Sequence, residues 1–286
     1  MIIDVHTHIF PPEFIRDRER LIRLCPWFAT LYENPKRKMV TAERLLTSMK
    51  RAGIDRAVTF GFPWSDTGRL RTANDYVFEA VGNAHGKLIP FAVVDPGNMD
   101  LTEEEIVRLR GRHICGIGEL MPDGQGFRLD DEKTMDGVMR LAAFHKLVVM
   151  IHTSEPVGHA YPGKGNVTPE VICRVAEKFP DVKIVCGHWG GGLIAYELMP
   201  EVTTLLKNVY YDSAASTLLY DDRIFNIAAR IAPGKILFGT DYPLIGQSTI
   251  LKRAKAELDG TTHLDDFLGG NARELLKQTR AAELDE

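Results

Sequence analysis

Short apolar runs rich in β-branched residues alternate along the chain with longer stretches in which apolar residues recur every three or four positions. The short runs predict strands at Ile2–His6, Ala57–Gly61, Leu88–Val94, Ile114–Leu120, Val148–His152, Lys183–His188, Val209–Asp212 and Lys235–Asp241. Several are nearly free of polar residues, as in Leu147-Val148-Val149-Met150-Ile151 and Ile184-Val185-Cys186. That is the pattern of strands covered on both faces in a parallel sheet. The longer stretches predict helices at Thr41–Ala52, Leu101–Arg110, Asp131–His145, Thr168–Phe179, Gly191–Leu206, Asp221–Ile231 and Ile250–Leu258. A helical tail at Leu264–Arg280 is interrupted by Gly269-Gly270. Thr41 caps a segment that gathers Leu45, Leu46 and Met49 on one face, and Thr168-Pro169-Glu170 sets a cap before a proline at the first helical position. Eight such units of about 36 residues fit a (β/α)8 TIM barrel. A doubly wound open sheet ranks second. It normally carries a glycine-rich phosphate turn after its first strand, where this chain has His6-Thr7-His8.

Composition agrees with one globular domain spanning residues 1–286. Apolar residues make up 44% and charged residues 26%, enough for an ordinary core and too apolar for disorder. The net charge of −4 argues against nucleic-acid binding, which needs a basic surface. No apolar run is long enough to span a membrane, and the first ten residues lack a signal-peptide pattern. Cys25, Cys115, Cys173 and Cys186 are scattered without a CxxC pair, which fits a reducing cytoplasm. A homo-oligomer remains open, because one sequence shows no surface patch.

The polar residues at the strand ends carry the candidate chemistry. His6 and His8 lie two apart on an extended segment, so both point to one side. The fifth strand ends at His152, the sixth at His188, the eighth at Asp241, and the fourth with Gly-Ile-Gly-Glu119. Barrel enzymes build their sites at this end of the strands, and a set of three histidines and an aspartate fits zinc or a similar divalent ion. Glu119 is able to bridge two ions, bind one, or hold a ligand in place. No lysine ends the fourth or fifth strand, which argues against a carbamylated-lysine bridge there. Asp4 either orients the histidine pair or is buried as a structural polar group. His85, His113, His145 and His263 read as caps or surface groups. Gly190-Gly191-Gly192 reads as a tight turn after His188, since the lysine and hydroxyl residue of a phosphate loop are missing. The long connections Ile9–Val40 and Thr153–Val167 are the candidate pocket walls, with Phe10, Trp27, Trp64, Arg69, His159, Tyr161, Lys164, Trp189 and Tyr242 as candidate lining.

Asp4-Val5-His6-Thr7-His8, Ile151-His152-Thr153, Cys186-Gly187-His188-Trp189-Gly190-Gly191 and Phe238-Gly239-Thr240-Asp241-Tyr242-Pro243, followed by Gly269-Gly270-Asn271-Ala272, resemble the amidohydrolase superfamily. They are most similar to its amidohydrolase-2 branch, which includes aminocarboxymuconate semialdehyde decarboxylase-like enzymes. The resemblance implies a (β/α)8 barrel with a metal held by His6, His8, His152 and Asp241. It implies that His188 is an acid/base group, or a second-metal ligand as in binuclear relatives. Gly-Ile-Gly-Glu119 is similar to the fourth-strand glutamate of TatD-like proteins, which gives Glu119 a metal role. The branch contains hydrolases and non-oxidative decarboxylases. The first expectation is therefore a metal-dependent hydrolase of a small ester, lactone or amide that uses His188 and Asp241 in proton transfer. The alternative is a decarboxylase of an unsaturated or aromatic carboxylic acid.

Overall fold

The computed structural model describes residues 1–277 and 279. Its strands are β1 (Ile3–His8), β2 (Arg56–Phe60), β3 (Leu88–Ala92), β4 (Gly116–Leu120), β5 (Val148–Ile151), β6 (Ile184–Cys186), β7 (Val209–Asp212) and β8 (Ile236–Leu237). They lie side by side in chain order and pair in parallel from β1–β2 through β7–β8. The first strand and the segment after the last close the ring. Val5 N donates to Phe238 O at 2.8 Å, Asp241 N to His6 O at 3.0 Å, and His8 N to Tyr242 O at 2.8 Å. This is the (β/α)8 TIM barrel that the alternation predicts.

Both faces of the strands are apolar because each has a partner. Val58 and Phe60, Ile89 and Phe91, and Val148 and Met150 share one cluster, closed off by Ala272, Leu275 and Leu276 of the last helix. The alternating positions Ala57, Val149, Ile151, Ile184 and Cys186 join the larger cluster made with the surrounding helices. A third cluster joins Phe10, Phe14 and Phe28 to Phe62 and Trp64. Its aromatic pairs are tilted or edge-on, such as Phe28 on Phe62 at 5.2 Å. Each such pair is worth about 0.5–1.5 kcal/mol beyond burial, and together they pin the long segment after β1 as a fixed wall beside the barrel mouth.

All eight strands fall where the pattern places them, with shifted ends. β1 runs two residues beyond its predicted end because His8 N finds the Tyr242 carbonyl. The predicted helix over Gly191–Leu206 is split into His188–Leu198 and Pro200–Leu205, since Pro200 keeps Met199 out of the helical region. His188 through Gly192 all have positive φ, and a Cβ on Gly191 would lie 2.3 Å from Ser154 O, so the turn requires glycine there. The helical tail appears as Asp266–Gly270 and Asn271–Leu276, and its residues 278 and 280 lie outside the described residues. One long helix, Thr67–Gly82, escapes the pattern. Its buried stripe contains Asn74, which bonds Val93 O, Val93 N and Glu105, and this polar member masks the helical period.

Candidate metal centre

The ends of β1, β4, β5 and β6 and the segments after β7 and β8 converge on one buried cluster of imidazoles and carboxylates. Glu119, 1% exposed, lies at its middle. Its Oε2 is 3.5 Å from His6 Nε2 and 3.8 Å from His8 Nε2. Its Oε1 is 3.1 Å from His152 Nδ1 and 3.9 Å from His188 Nε2. Asp241 Oδ1 lies 3.3 Å from His8 Nε2 and 3.9 Å from His6 Nε2. His188 Nε2 and His152 Nδ1 are 3.1 Å apart. The cluster divides into two groups that share Glu119, namely His6, His8 and Glu119, and Glu119, His152 and His188, each within 4.8 Å. All six residues proposed from the sequence therefore meet at one mouth of the barrel. His188 lies within ligand range of the second group, so both a ligand and an acid/base position are open to it.

Three of the four rings are fixed from behind. His6 Nδ1 meets Asp212 Oδ2 at 2.8 Å, His152 Nε2 meets Gly163 O at 2.9 Å, and His188 Nδ1 meets Ala214 O at 3.1 Å. A carbonyl or carboxylate behind one ring nitrogen places the hydrogen there and turns the other lone pair inward. His6 Nε2 is thereby left buried without a hydrogen-bond partner. This orphaned nitrogen and the mixed imidazole–carboxylate set fit a divalent cation. The electrostatics agree. Burial pushes the His6 pKa down, yet Glu119 and Asp212 outweigh it and raise it well above the ordinary value. Burial likewise opposes ionisation of Glu119, but His6 and His152 hold its carboxyl well below the usual range. Asp241 is drawn down to about 2 against its burial, by His8 and then His6. The carboxylates draw protons onto His6 and His152, and a cation in the same place would displace them. His188 is shifted the other way, lowered by burial and by the charge of His152.

Asp212 is the residue that sequence reasoning missed, although it ends the predicted seventh strand. Besides His6, its Oδ1 accepts from His188 N at 3.0 Å and Ala214 N at 2.9 Å. Asp212→Asn is expected to keep its oxygen on those two amides and turn its NH2 toward His6 Nδ1. That forces the His6 proton onto Nε2, where it blocks a ligand lone pair. Metal affinity should fall about 10–100-fold with little loss of stability, as read by competition with a chromogenic chelator; unchanged affinity refutes the tautomer argument.

Asp4 serves the frame. The register of β1 shifts between Asp4 and Thr7, and Asp4 accepts from His6 N, Thr240 N, Thr240 Oγ1 and Gln247 Nε2. Burial raises its pKa to about 6, against those donors. Because the folded value lies above the unfolded one, its contribution to stability is complete below about pH 4 and is lost as pH rises through about 6. Asp4→Ala, which also strands four donors, is expected to cost more stability at pH 5 than at pH 8 in urea unfolding. An equal or reversed difference contradicts this sign.

Above the cluster lies a pocket with about 880 Å³ of space, part of it open to solvent. Tyr32, Phe62 and Leu244 face His8 and Asp241 across it, with Met121, Tyr161 and Leu219 among the other walls. Arg37 and Lys38 supply its cations. His159 and Tyr161 line it as expected, whereas Phe10, Trp64 and Trp189 are buried in the core. Lys164 is turned to the carbonyls of Val157 and His159, Arg69 sits over the Trp64 ring, and Trp27 Nε1 reaches Met121 Sδ. His85 and His113 take positive-φ positions ahead of β3 and β4, and His145 ends a helix. All four cysteines are free, and among the described residues no helix is long and apolar enough to cross a membrane.

The fold and the site together define a metal-dependent barrel, and the chain belongs to the amidohydrolase family, whose sequence profile, described as Amidohydrolase, matches residues 3–278. No curated protein matches it in sequence. Among solved structures it is similar to 5-carboxyvanillate decarboxylase from Sphingomonas paucimobilis, at 15% identity and a TM-score of 0.73, over 96% of this chain and 98% of that one. It is also similar to IDCase from Metarhizium anisopliae, at 18% identity and a TM-score of 0.72, over 97% of both chains. A third similar structure is 5-carboxyvanillate decarboxylase from Novosphingobium aromaticivorans, complexed with manganese and 4-hydroxy-3-methoxy-5-nitrobenzoic acid. It shares 18% identity and a TM-score of 0.75 over 97% of this chain and 96% of that one. At these identities the likeness establishes the shared barrel.

Proposed function

We propose that this protein is a metal-dependent decarboxylase of a small planar carboxylic acid. The observation that carries this reading is the pocket itself. Aromatic and aliphatic walls (Tyr32, Phe62, Leu244) face the imidazole–carboxylate cluster, and Arg37 and Lys38 give an anionic substrate its counter-charge. The decarboxylases of similar fold, one of them holding a nitrobenzoic acid with manganese, support it. This ranks decarboxylation above the hydrolysis expected first from the sequence. A small molecule is the partner in either case.

His6, His8, Glu119 and Asp241 would hold the ion, with His152 beside Glu119. Zinc suits the imidazoles, and manganese suits the carboxylates equally well. When bound, a divalent ion supplies positive charge that orients and polarises a substrate oxygen. The protein does the rest. The apolar walls hold the ring and keep water from the bond that breaks. Loss of carbon dioxide leaves the bonding pair on the carbon, and that carbon takes one proton. His188 is placed to carry it. Its Nδ1 is fixed on Ala214 O, and its Nε2 faces the cluster. Solvent entering the open side of the pocket reloads it, and the ionised Asp241, at 13% exposure the most open carboxylate of the cluster, favours its protonated form.

The test is product identity. Protein loaded separately with zinc and manganese is incubated with hydroxybenzoates, unsaturated dicarboxylic acids, lactones and esters, with carbon dioxide captured separately from acid release. Carbon dioxide from an acid in stoichiometric amount with the decarboxylated product is the expected result. Turnover of lactones or esters with no carbon dioxide from any acid overturns it in favour of hydrolysis.

A further inference from the structure

A second, wider groove adjoins the pocket and shares Arg37 and Lys38 with it. Arg44 and Arg51, both exposed on the helix Ala42–Ala52, continue the same positive charge away from the pocket. Arg18 also lines the groove, with its guanidinium on the carbonyls of Tyr32 and Asn34. Glu43 is the one acid among the lining residues. Among the described residues, none of Arg37, Lys38, Arg44 and Arg51 makes an ion pair, in a chain whose net charge is −4. Like charges crowded without counter-ions repel one another, and an anion between them relieves that repulsion.

The backbone has the same polarity. The groove is lined where two helices begin, Ala42–Ala52 after Thr41 and Gln247–Leu258 after Gly246. Neither N-cap residue caps its helix with its side chain; Ala42 N is held by Tyr76 Oη and Thr249 N by Gly246 O, and the positive end of each helix faces the groove. Gln247 ties the groove floor to the barrel frame. It is 1% exposed and lines the groove; its Nε2 is held by Asp4 at 2.8 Å, and its Oε1 has no hydrogen-bond partner.

We propose that the groove is a subsite for a phosphoryl group, carried on an arm of the molecule whose acid end occupies the pocket. The pocket assignment rests on the decarboxylase reading; the groove assignment rests on its own cations. Several arginines and a lysine around one depression suit the three oxygens of a phosphoryl group, which takes charge-assisted bonds from several sides. The substrate class is then a planar acid with a phosphorylated extension rather than a bare aromatic acid.

The experiment uses the metal-loaded full-length protein and two matched probes. One is salicylate carrying a propylphosphonate arm para to its hydroxyl, and the other is the same molecule with a neutral propanol arm. Binding is read by titration calorimetry at fixed ionic strength, for the wild type and for Arg44→Gln/Arg51→Gln, whose altered residues line the groove and not the pocket. The phosphonate is expected to bind at least about tenfold tighter than the alcohol to the wild type, with the advantage lost in the double variant and weakened by added salt. Equal affinities in the wild type overturn the proposal. So does an advantage that survives the double substitution, because the phosphonate is then held elsewhere. Carbon dioxide release from the phosphonate-armed salicylate and from simple acids is scored separately. Its absence alongside an intact phosphonate advantage rejects the decarboxylase reading and leaves the groove standing.

Discussion

His6→Ala/His8→Ala protein, purified in parallel with the wild type, is expected to carry about a tenth or less of its divalent metal. His6 Nε2 and His8 Nε2 approach the same Glu119 oxygen, at 3.5 and 3.8 Å, and the same Asp241 oxygen, at 3.9 and 3.3 Å. Their removal takes two of the four donors from that point and leaves carboxylates that face each other unscreened. Because His6 is fully buried and its loss opens a cavity, His8→Gln serves as the milder companion and should weaken metal binding in a protein that melts cooperatively. Elemental analysis returning full, stoichiometric metal in the double variant would sink this ligand assignment.

His188→Asn is expected to lower turnover by about 10²–10⁴-fold, the usual contribution of a positioned acid or base. Asparagine keeps a donor for Ala214 O and deletes the nitrogen that faces His152. Metal content read on the same sample separates the two roles open to His188. Full retention with collapsed turnover makes it a proton carrier. Loss of about one equivalent makes it a ligand of the second group, with Glu119 and His152. Full metal with near-normal turnover removes it from the chemistry altogether.

The barrel was legible because parallel strands covered on both faces produce short apolar, β-branched runs, and here eight of them alternate with amphipathic stretches. The site was legible because His6, His8, Glu119, His152, His188 and Asp241 all stand at or just beyond strand ends, where side chains must point into the mouth. Asp212 stands at such an end too, yet it acts through His6 and carries no ligand pattern of its own. Asp4 and His6 stand two apart, yet the register shift in β1 sends them to different partners. The pocket lining was the least legible part. Large aromatics such as Trp64 and Trp189 were drawn into the core by their area, while Arg37 and Lys38 come from a short irregular stretch without periodicity.

The seam that closes the barrel has a consequence for biosynthesis. Asp4 and Thr240 are joined across 236 residues of sequence, and the same seam brings His6 and His8 against Asp241. At about 5–20 residues per second, a ribosome needs roughly 10 to 60 s to reach the second half of that seam. Until then the nascent chain exposes a histidine pair with no carboxylate from the far end to complete its grip. The Asp241 side of the cluster is therefore completed last, and a truncated chain ending before Thr240 is expected to hold a divalent ion more weakly than the full-length protein.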